Sequence, residues 1–390
     1  MIIIKNKNKF IIFFSLFIFS LFLRILLSQF LNFNFPDALA YKRIAEQFIM
    51  NLNYDSESSM PLYPLMMALS DYLFGNLYLF DYILSSLFPI VIFSLTLEVF
   101  KDKNAALISG LISAVYPMNL FYSLAGLTEN FYVFYLYLSF LFFYKKKFIL
   151  GLIFLVLCLY TRSIIIYFIP IVILSFSYIN NKNVQLIITQ CIKAFIIFII
   201  FLSPWWLFNY SKYNKFVLTN IGTGEVLYLG NNEKNKTGGN NMGVDADFKK
   251  YNDGKFKNKL DRDKALLKDS IKFILDNPKQ FLELSLKKFI RFWNIFPNNK
   301  KLNENTLFKY IIFLSYTPIL IMSALWALKN PKFIKKITPM ILFILYTTLI
   351  HVVSISSIRY RFPIEPILII LSSHYISSLF NKFNYLKRSN

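Results

Sequence analysis

Residues 34–73 read NFPDALAYKRIAEQFIMNLNYDSESSMPLYPLMMALSDYL and follow directly on a long apolar run at residues 10–31. After Asp37, apolar residues recur at the spacing of one helical face, and charged or polar residues take the other face. The apolar residues are Tyr41, Ile44, Ala45, Phe48, Ile49 and Leu52. The pattern predicts a helix that lies on a membrane surface, with the Asp37 carboxylate where the first membrane helix meets water.

The Asp37 carboxylate has two interpretations. A carboxylate held at the bilayer edge can act as a base on a substrate that a lipid presents there. An aspartate at the start of a helix more commonly caps it, by accepting hydrogen bonds from free backbone N–H groups such as that of Ala40. This stretch alone leaves both interpretations open.

The composition is that of a polytopic membrane protein. Of the 390 residues, 56% are hydrophobic and 19% aromatic, and 44 are phenylalanine. The formal net charge of +22 does not indicate a nucleic-acid partner, because the lysines and arginines are scattered between apolar runs and form no single basic face. Cys158 and Cys191 both lie inside apolar runs, so neither a disulfide framework nor a CxxC metal site is expected.

Ten apolar segments are long enough, or nearly so, to cross about 30 Å of hydrocarbon. They are residues 10–31, 77–100, 105–122, 127–144, 148–161, 164–179, 184–208, 307–328, 337–353 and 363–380. The fifth and sixth are short, and one bent hairpin with its tip at residues 160–163 is an alternative to two crossings. The basic start of residues 1–28 is like that of a signal peptide. A retained anchor is nevertheless expected, because the apolar run is too long and no small-residue cleavage site follows it.

Lysine and arginine residues collect on alternate connections between these segments, as the positive-inside rule requires of cytoplasmic loops. They are Lys5, Lys7, Lys9, Lys101, Lys103, residues 145–147, Lys182, Lys329, Lys332, Lys335, Lys336, Lys382, Lys387 and Arg388. Both termini are therefore expected in the cytoplasm. The predicted parts are an N-terminal membrane domain at 1–208 with its first outer loop at 32–76, an extracytoplasmic segment at 209–306, and C-terminal membrane helices at 307–390.

The extracytoplasmic segment holds 11 of the 21 acidic residues and is soluble in character. Asn277 and Pro278 are typical of a helix start, and the apolar face that follows predicts a second interfacial helix. Residues 216–220 and 225–229 are short runs next to glycines, which predict extended strands in a small, turn-rich mixed region. A phosphate cradle is not indicated, because there is neither GxxxxGK nor a GxGxxG between a strand and a helix.

Three arginines break the positive-inside pattern. Arg162, Arg359 and Arg361 are expected on the outer side, each next to an apolar segment. A phosphate is a natural partner, because the planar guanidinium matches its oxygens and the pair is stronger at a low-dielectric membrane edge. The last two stand just before a helix opened by Pro363, with His351 at the end of the preceding segment. The alternatives are arginines that reach ordinary lipid phosphates and a histidine that is merely packed at the interface.

A second carboxylate is expected on the same side. Glu129 lies at the start of the segment at 127–144 and would face Asp37 across the same aqueous edge. Two acids and several arginines at one interface are like a group-transfer site. The alternative is a plain helix start, in which Thr128 caps the helix and Glu129 occupies its first turn.

In their order and membrane placement, these motifs resemble the polytopic glycosyltransferases of the GT-C superfamily. The similarity is greatest to the bacterial protein mannosyltransferase-like, aminoarabinose transferase-like and Rgt-type galacturonosyltransferase-like proteins, and it extends over nearly the whole length. The motifs are Leu23-Arg24-Ile25-Leu26, Pro36-Asp37 with Tyr41 and Ile44-Ala45, Pro61-Leu62-Tyr63-Pro64, Leu127-Thr128-Glu129, Tyr160-Thr161-Arg162, Tyr228-Leu229-Gly230-Asn231-Asn232 and Arg359-Tyr360-Arg361-Phe362-Pro363. Two positions depart from the family pattern: Ala38 stands where several relatives carry a second acid, and Ser163 stands where proline is usual.

The resemblance implies an all-α GT-C fold with about ten membrane helices. It also implies transfer of one sugar from a polyprenyl-phosphate carrier to a hydroxyl, usually with inversion, on the periplasmic side of a bacterial inner membrane. Asp37 would take the acceptor proton, and Arg359, Arg361 and Arg162 would stabilise the departing phosphate. Glu129 would orient a substrate, or hold a divalent cation together with Asp37.

Tyr41 and His351 complete the substrate contacts that the resemblance implies. The expected partners are the polyprenyl-phosphate-linked sugar donor, the membrane lipids and an acceptor. That acceptor would be lipid A, core oligosaccharide, another lipid or a protein. Such a donor needs no nucleotide, which fits the lack of a nucleotide-binding motif.

Other functions share parts of this pattern. An O-antigen polymerase or ligase has the same polytopic plan and a large outer loop, but its key arginine or histidine is expected within that loop. A transporter or flippase requires paired repeats, broken helices and intramembrane charges, and apart from Arg24 and Lys193 no charge lies near a segment centre. A membrane assembly protein without enzyme activity would tolerate replacement of the outer acids and arginines.

Overall fold

The structure of the protein, a computed structural model, describes residues 6–31, 33, 35–52, 54, 56, 58–180, 183–252, 254–296 and 306–389, with side chains between residues 8 and 382. Lys5 and Lys182 of the orientation pattern lie outside these residues. The same holds for the side chains of Lys7, Lys387 and Arg388, and for the 297–305 part of the predicted outer segment.

Helices make up most of the described chain. In order they are α1 (Asn6–Ser28), α2 (Pro36–Asn51), α3 (Leu62–Phe74), α4 (Leu79–Phe100), α5 (Lys103–Val115), α6 (Pro117–Leu124), α7 (Glu129–Tyr144), α8 (Phe148–Thr161), α9 (Ile169–Asn180), α10 (Val184–Tyr213), α11 (Thr223–Gly230), α12 (Lys249–Asn252), α13 (Lys259–Asp276), α14 (Pro278–Trp293), α15 (Thr306–Lys329), α16 (Pro331–Val353), α17 (Ile358–Arg361) and α18 (Glu365–Ser389). Short 3₁₀ turns at Ser163–Tyr167 and Phe362–Ile364 precede α9 and α18. The described ranges contain no β-strand, and one isolated bridge joins Met242 to Ala246.

Among the described residues, six helices are long and apolar enough to cross a membrane, or seven if the bent pair of α5 and α6 forms one span. The six are α1, α4, α10, α15, α16 and the stretch Ile358–Lys382. The predicted all-α polytopic class is therefore confirmed. By length and hydropathy, however, fewer helices qualify as spans than the ten predicted. The helices predicted after Asp37 and after Asn277 are present as α2 and α14.

The shortfall in spans comes from breaks inside the predicted segments. The segment at 105–122 bends by 44° between α5 and α6. Its backbone is extended at Tyr116 because Pro117 follows. The segment at 164–179 becomes helical only at Ile169, after Arg162 has left α8 in an extended conformation. These breaks lie at one end of the helices and place loops beside the candidate site.

The strand predicted at 225–229 is wrong, because these residues form part of helix α11. Local sequence favoured an extended run, but packing against α13 overrides it. A Cβ on Gly224 would lie 1.9 Å from the carbonyl oxygen of Asp263, so only glycine allows the two helices to approach this closely. Glu225 then pairs with Arg262 at 2.8 Å. The outer segment is accordingly built of helices and turns.

Burial separates central helices from peripheral ones. In the most apolar part of Ile358–Lys382, 78% of residues are buried, against 61% in α4 and only 11% in α10. The centre is rich in packed rings, such as Phe140 of α7 against Phe343 of α16 with centroids 6.0 Å apart. Most of the exposed side chains of α10 are apolar, as expected of a helix that faces lipid.

The two ends of α7 differ in charge. At its C-terminal end the Tyr144 hydroxyl donates to the Lys336 carbonyl at 2.8 Å, and Lys336 in turn donates to the carbonyl of Glu98. Lys101 pairs with the Glu98 carboxylate nearby. Glu129 opens the helix at the other end, about 24 Å away at 1.5 Å per residue. Lysines predicted on one side of the membrane thus lie at one end of α7, and the predicted site residues lie at the other.

Candidate active site

Four charged side chains converge at the N-terminal end of α7, and we call them the acid–arginine cluster: Asp37, Glu129, Arg162 and Arg359. Arg359 donates from Nη1 to Asp37 Oδ2 at 2.7 Å and from Nε to Glu129 Oε1. Arg162 donates from Nη1 to the same Glu129 oxygen at 2.5 Å. Four residues from four separate parts of the chain therefore form one connected network.

Asp37 enters this network from the first turn of α2. The helix begins with Phe35 in the extended N-cap position and Pro36 in its first turn, and no side chain caps it. The side-chain partner of Asp37 is Arg359, so the capping interpretation is not what the structure shows. The Asp37 side chain is 50% exposed. Its carboxylate is therefore open to water on one side and held by a guanidinium on the other.

Glu129 is the first residue of α7 and is completely buried. Thr128 occupies the N-cap position but makes no side-chain capping bond. A tight turn at Gly126, with φ +65°, precedes the helix and packs against α2, since a Cβ there would lie 3.3 Å from the Ala38 Cβ. This contact brings the two acids together. The Glu129 Oε1 atom accepts from both arginines, whereas Oε2 has no hydrogen-bond partner in the described protein.

Arg162 sits between two aromatic rings. It follows α8 in an extended conformation, and its guanidinium lies 5.9 Å from the ring centre of Tyr132 and 5.8 Å from that of Tyr360. Such contacts favour the cation and fix its plane. The Tyr360 ring is in turn stacked on His351, with centroids 4.5 Å apart and planes 5° apart.

His351 contacts the site through the ring of Tyr360. It is 5% exposed, its Nδ1 lies 3.1 Å from the Ile355 carbonyl oxygen, and its ring packs between Tyr360 and Phe292. The predicted site residue thus contacts Tyr360, one of the two rings beside Arg162, and has no hydrogen bond to either acid among the described residues.

Tyr41 lies one helical turn after Asp37, close enough to the acid–arginine cluster for the charges there to affect the pKa of its phenol. Burial raises the pKa of its phenol to about 12, an effect that Arg162 partly opposes. The phenol is therefore neutral at physiological pH and able to donate a hydrogen bond. Its ring meets Tyr63 edge-on at 5.3 Å, which holds it in place.

Arg361 does not join the cluster. Its Nε donates to Glu365 at 2.8 Å, and its guanidinium lies 3.8 Å from the ring centre of Tyr316. The Tyr116 hydroxyl donates to the other Glu365 oxygen at 2.8 Å. The Arg361 side chain is 1% exposed, so this buried pair faces the interior rather than the aqueous edge.

Sequence reasoning missed several residues of this region. Tyr132 and Tyr360 enclose Arg162, and Asn130, which is 3% exposed, has no hydrogen-bond partner for either side-chain atom among the described residues. A small pocket adjoins Arg162, and its polar and aromatic lining comprises Tyr132, Tyr346, Thr347, His351 and Tyr360. In the sequence, Tyr360 stands between Arg359 and Arg361, and Asn130 follows Glu129. These positions could have indicated both residues as part of the site.

The cluster does not fit a divalent cation, which was one alternative for Asp37 and Glu129. Such a site needs an excess of carboxylate charge around the ion. Here two carboxylates face two guanidiniums, and Arg359 lies between the acids where the ion would have to bind. The part of the chain that the structure describes has no group of three His, Cys, Asp or Glu side chains suited to a metal.

Two solved structures are similar to this chain. One is the archaeal oligosaccharyltransferase AglB from Archaeoglobus fulgidus in complex with an inhibitory peptide and a dolichol-phosphate, with TM-score 0.58, 13% identity, and coverage of 98% of this chain and 52% of that one. The other is the Archaeoglobus fulgidus oligosaccharyltransferase in the apo form, with TM-score 0.58, 14% identity, and coverage of 99% and 52%. No protein-family model matches the sequence, and no curated protein matches it either.

These neighbours belong to the GT-C superfamily, and nearly all of this chain superposes on them. The GT-C fold predicted from the sequence is therefore confirmed. The chain spans about half the length of the two oligosaccharyltransferases.

Proposed function

We propose that this protein is a membrane glycosyltransferase that moves a single sugar from a polyprenyl-phosphate carrier to a hydroxyl acceptor, with inversion. The proposal includes a site on the periplasmic side of a bacterial inner membrane. One observation carries it: on a GT-C fold, a half-exposed carboxylate and a fully buried one are joined by a single guanidinium.

The fold supports the class of donor. A similar structure holds a dolichol-phosphate, which is a long-chain lipid phosphate. The acid–arginine cluster supplies two guanidiniums, the side chains best suited to phosphate oxygens. Both are partly exposed, Arg162 by 20% and Arg359 by 26%, so a ligand can reach them.

The proposed reaction is one displacement at the anomeric carbon. The acceptor oxygen bonds to that carbon while its proton passes to Asp37, and the bond from carbon to phosphate oxygen breaks. The polyprenyl phosphate leaves with the electron pair as a dianion. Arg359 and Arg162 would stabilise the charge that gathers on it, since positioned cations lower a barrier most where charge develops.

The other residues take supporting roles in this proposal. Glu129 holds both arginines through one oxygen and is therefore poorly suited to be the base. Tyr41 would donate a hydrogen bond to a sugar hydroxyl, and His351 would position Arg162 through the ring of Tyr360. Arg361 would fix the start of α18 and so the direction of Arg359.

The acceptor is proposed as a hydroxyl of lipid A or core oligosaccharide, of another lipid or of a protein. Mass spectrometry of envelope glycolipids and glycoproteins tests this in cells with the protein, without it, and with Asp37→Asn. We expect loss of one mass increment of a single sugar without the protein and in Asp37→Asn, because general-base catalysis contributes about 10²–10⁴-fold.

Glu46→Gln is the matched control, because it is also isosteric, lies on the same helix and breaks only a surface pair with Lys42 at 3.7 Å. It should leave the inventory unchanged. An identical inventory with and without the protein would refute glycosyl transfer. Loss of a long repeat rather than one sugar would instead favour the polymerase or ligase alternative.

A further inference from the structure

Arg359 is shared unequally between its two acids. Glu129 is fully buried and also bound to Arg162, whereas Asp37 is half exposed and has Arg359 as its side-chain partner. We infer that the contact between Asp37 and Arg359 is autoinhibitory: it occupies the base until a donor phosphate draws the guanidinium away. This inference rests on the proposed function and adds to it the order in which donor and acceptor are engaged.

The geometry allows one bond to open while the other stays. An ion pair with a half-exposed carboxylate is weak, because water competes for both partners. Separation of Arg359 from Glu129 would instead leave a charge buried without its full complement. Arg359 therefore has a fixed bond at Nε and a replaceable one at Nη1.

A phosphate is a stronger competitor for Nη1 than Asp37 is. Its oxygens accept two parallel bonds from the guanidinium fork. Arg359 uses Nε and Nη1, which leaves Nη2 without a hydrogen bond to the described residues. A donor phosphate at the open face would thus engage Nη2 and Nη1 together and release Asp37.

The exchange has a chemical consequence. Asp37 Oδ2 cannot take a proton while it accepts the hydrogen bond from Arg359 Nη1. That oxygen becomes available only after the donor has taken Arg359. The acceptor proton can then pass to Asp37, so donor binding precedes activation of the acceptor.

Binding of a long-chain polyprenyl monophosphate to the full chain in detergent tests the exchange, with the matching polyprenol as lipid control. Asp37→Asn frees Arg359, so this variant should bind the phosphate about twofold more tightly than wild type, the factor that corresponds to an exposed pair of about 0.5 kcal/mol. Glu46→Gln, which also removes one carboxylate from α2, should bind as wild type does.

A double-mutant cycle with Arg359→Gln separates the exchange from simple loss of repulsion. In the Arg359→Gln background, Asp37→Asn should no longer tighten binding, because there is no guanidinium to release. If the tightening persists there, or if Asp37→Asn binds no better in the wild-type background, the autoinhibitory contact is refuted while the proposed function stands.

Thermal unfolding of each variant checks its fold, and Arg359→Lys replaces Arg359→Gln if the latter does not fold. The lysine keeps the charge but cannot serve two partners through a fork, so the effect of Asp37→Asn should again shrink. If wild type binds the polyprenyl monophosphate no better than the polyprenol, the proposed function and this inference both fail.

Discussion

Arg359 and Arg361 are two residues apart, and each binds a carboxylate, yet they serve different regions. Arg359 reaches a half-exposed acid at the aqueous edge, and Arg361 pairs with a buried acid inside the helix bundle. Successive positions on a helix differ by about 100°, so residues at i and i+2 point to nearly opposite sides. The exposure of the partner decides which arginine can exchange ligands and which is part of the framework.

The sharpest test of this difference is stability. Arg361→Met should lower the free energy of unfolding by about 3–5 kcal/mol, because it leaves Glu365 buried without its cation. Asp37→Asn should change it by less than about 0.5 kcal/mol, since surface pairs contribute little. Denaturant unfolding of the purified protein in detergent measures both.

The double variant Arg361→Met with Glu365→Gln is the control for this prediction. It removes both charges and should recover most of the loss, because no buried charge is then left without its partner. If Asp37→Asn proves as destabilising as Arg361→Met, the distinction between the two regions is wrong.

The sequence was sufficient to group Asp37, Glu129, Arg162 and Arg359, because loops predicted on one side of a membrane share the same edge. It did not distinguish Arg359 from Arg361, although Glu365 stands four residues after Arg361, at the spacing of a helical ion pair. The helix at 225–229 was beyond local reasoning, because it depends on the approach of Gly224 to α13. Periodicity predicted α2 and α14, whereas tertiary contacts decided the rest.

Lys288 is a buried cation that can be compared with Arg361, because it has no carboxylate partner among the described residues. Its Nζ donates to Asn231 Oδ1 at 2.8 Å and to the Val353 carbonyl at 3.2 Å. Burial lowers the pKa of Lys288 to about 7, against about 10.4 in an unfolded chain. Between these values the unfolded state binds more protons, so the protein should become more stable as pH rises.

We expect a gain of about 2 kcal/mol in the free energy of unfolding between pH 7 and pH 9, from a slope of at most about 1.4 kcal/mol per pH unit. Lys288→Met should abolish this rise, and Lys287→Met, the exposed neighbour on α14, should retain it. Unfolding measured across this pH range tests the prediction. A rise in the free energy of unfolding that persists in Lys288→Met would show that another group is responsible.

The smallest effect is expected from removal of metal. Since Arg359 lies between the two acids and, together with Arg162, balances their charge, a chelator should change sugar transfer by membrane vesicles by less than about twofold. Arg359→Ala leaves two carboxylates beside one guanidinium, that of Arg162. It should create a weak Mn²⁺ site that wild type lacks, which electron paramagnetic resonance can detect, with Arg361→Ala as the control. Loss of transfer on chelation, restored by added Mg²⁺, would mean that Arg359 leaves both acids when a cation arrives, and that the cluster is a metal site in the working enzyme.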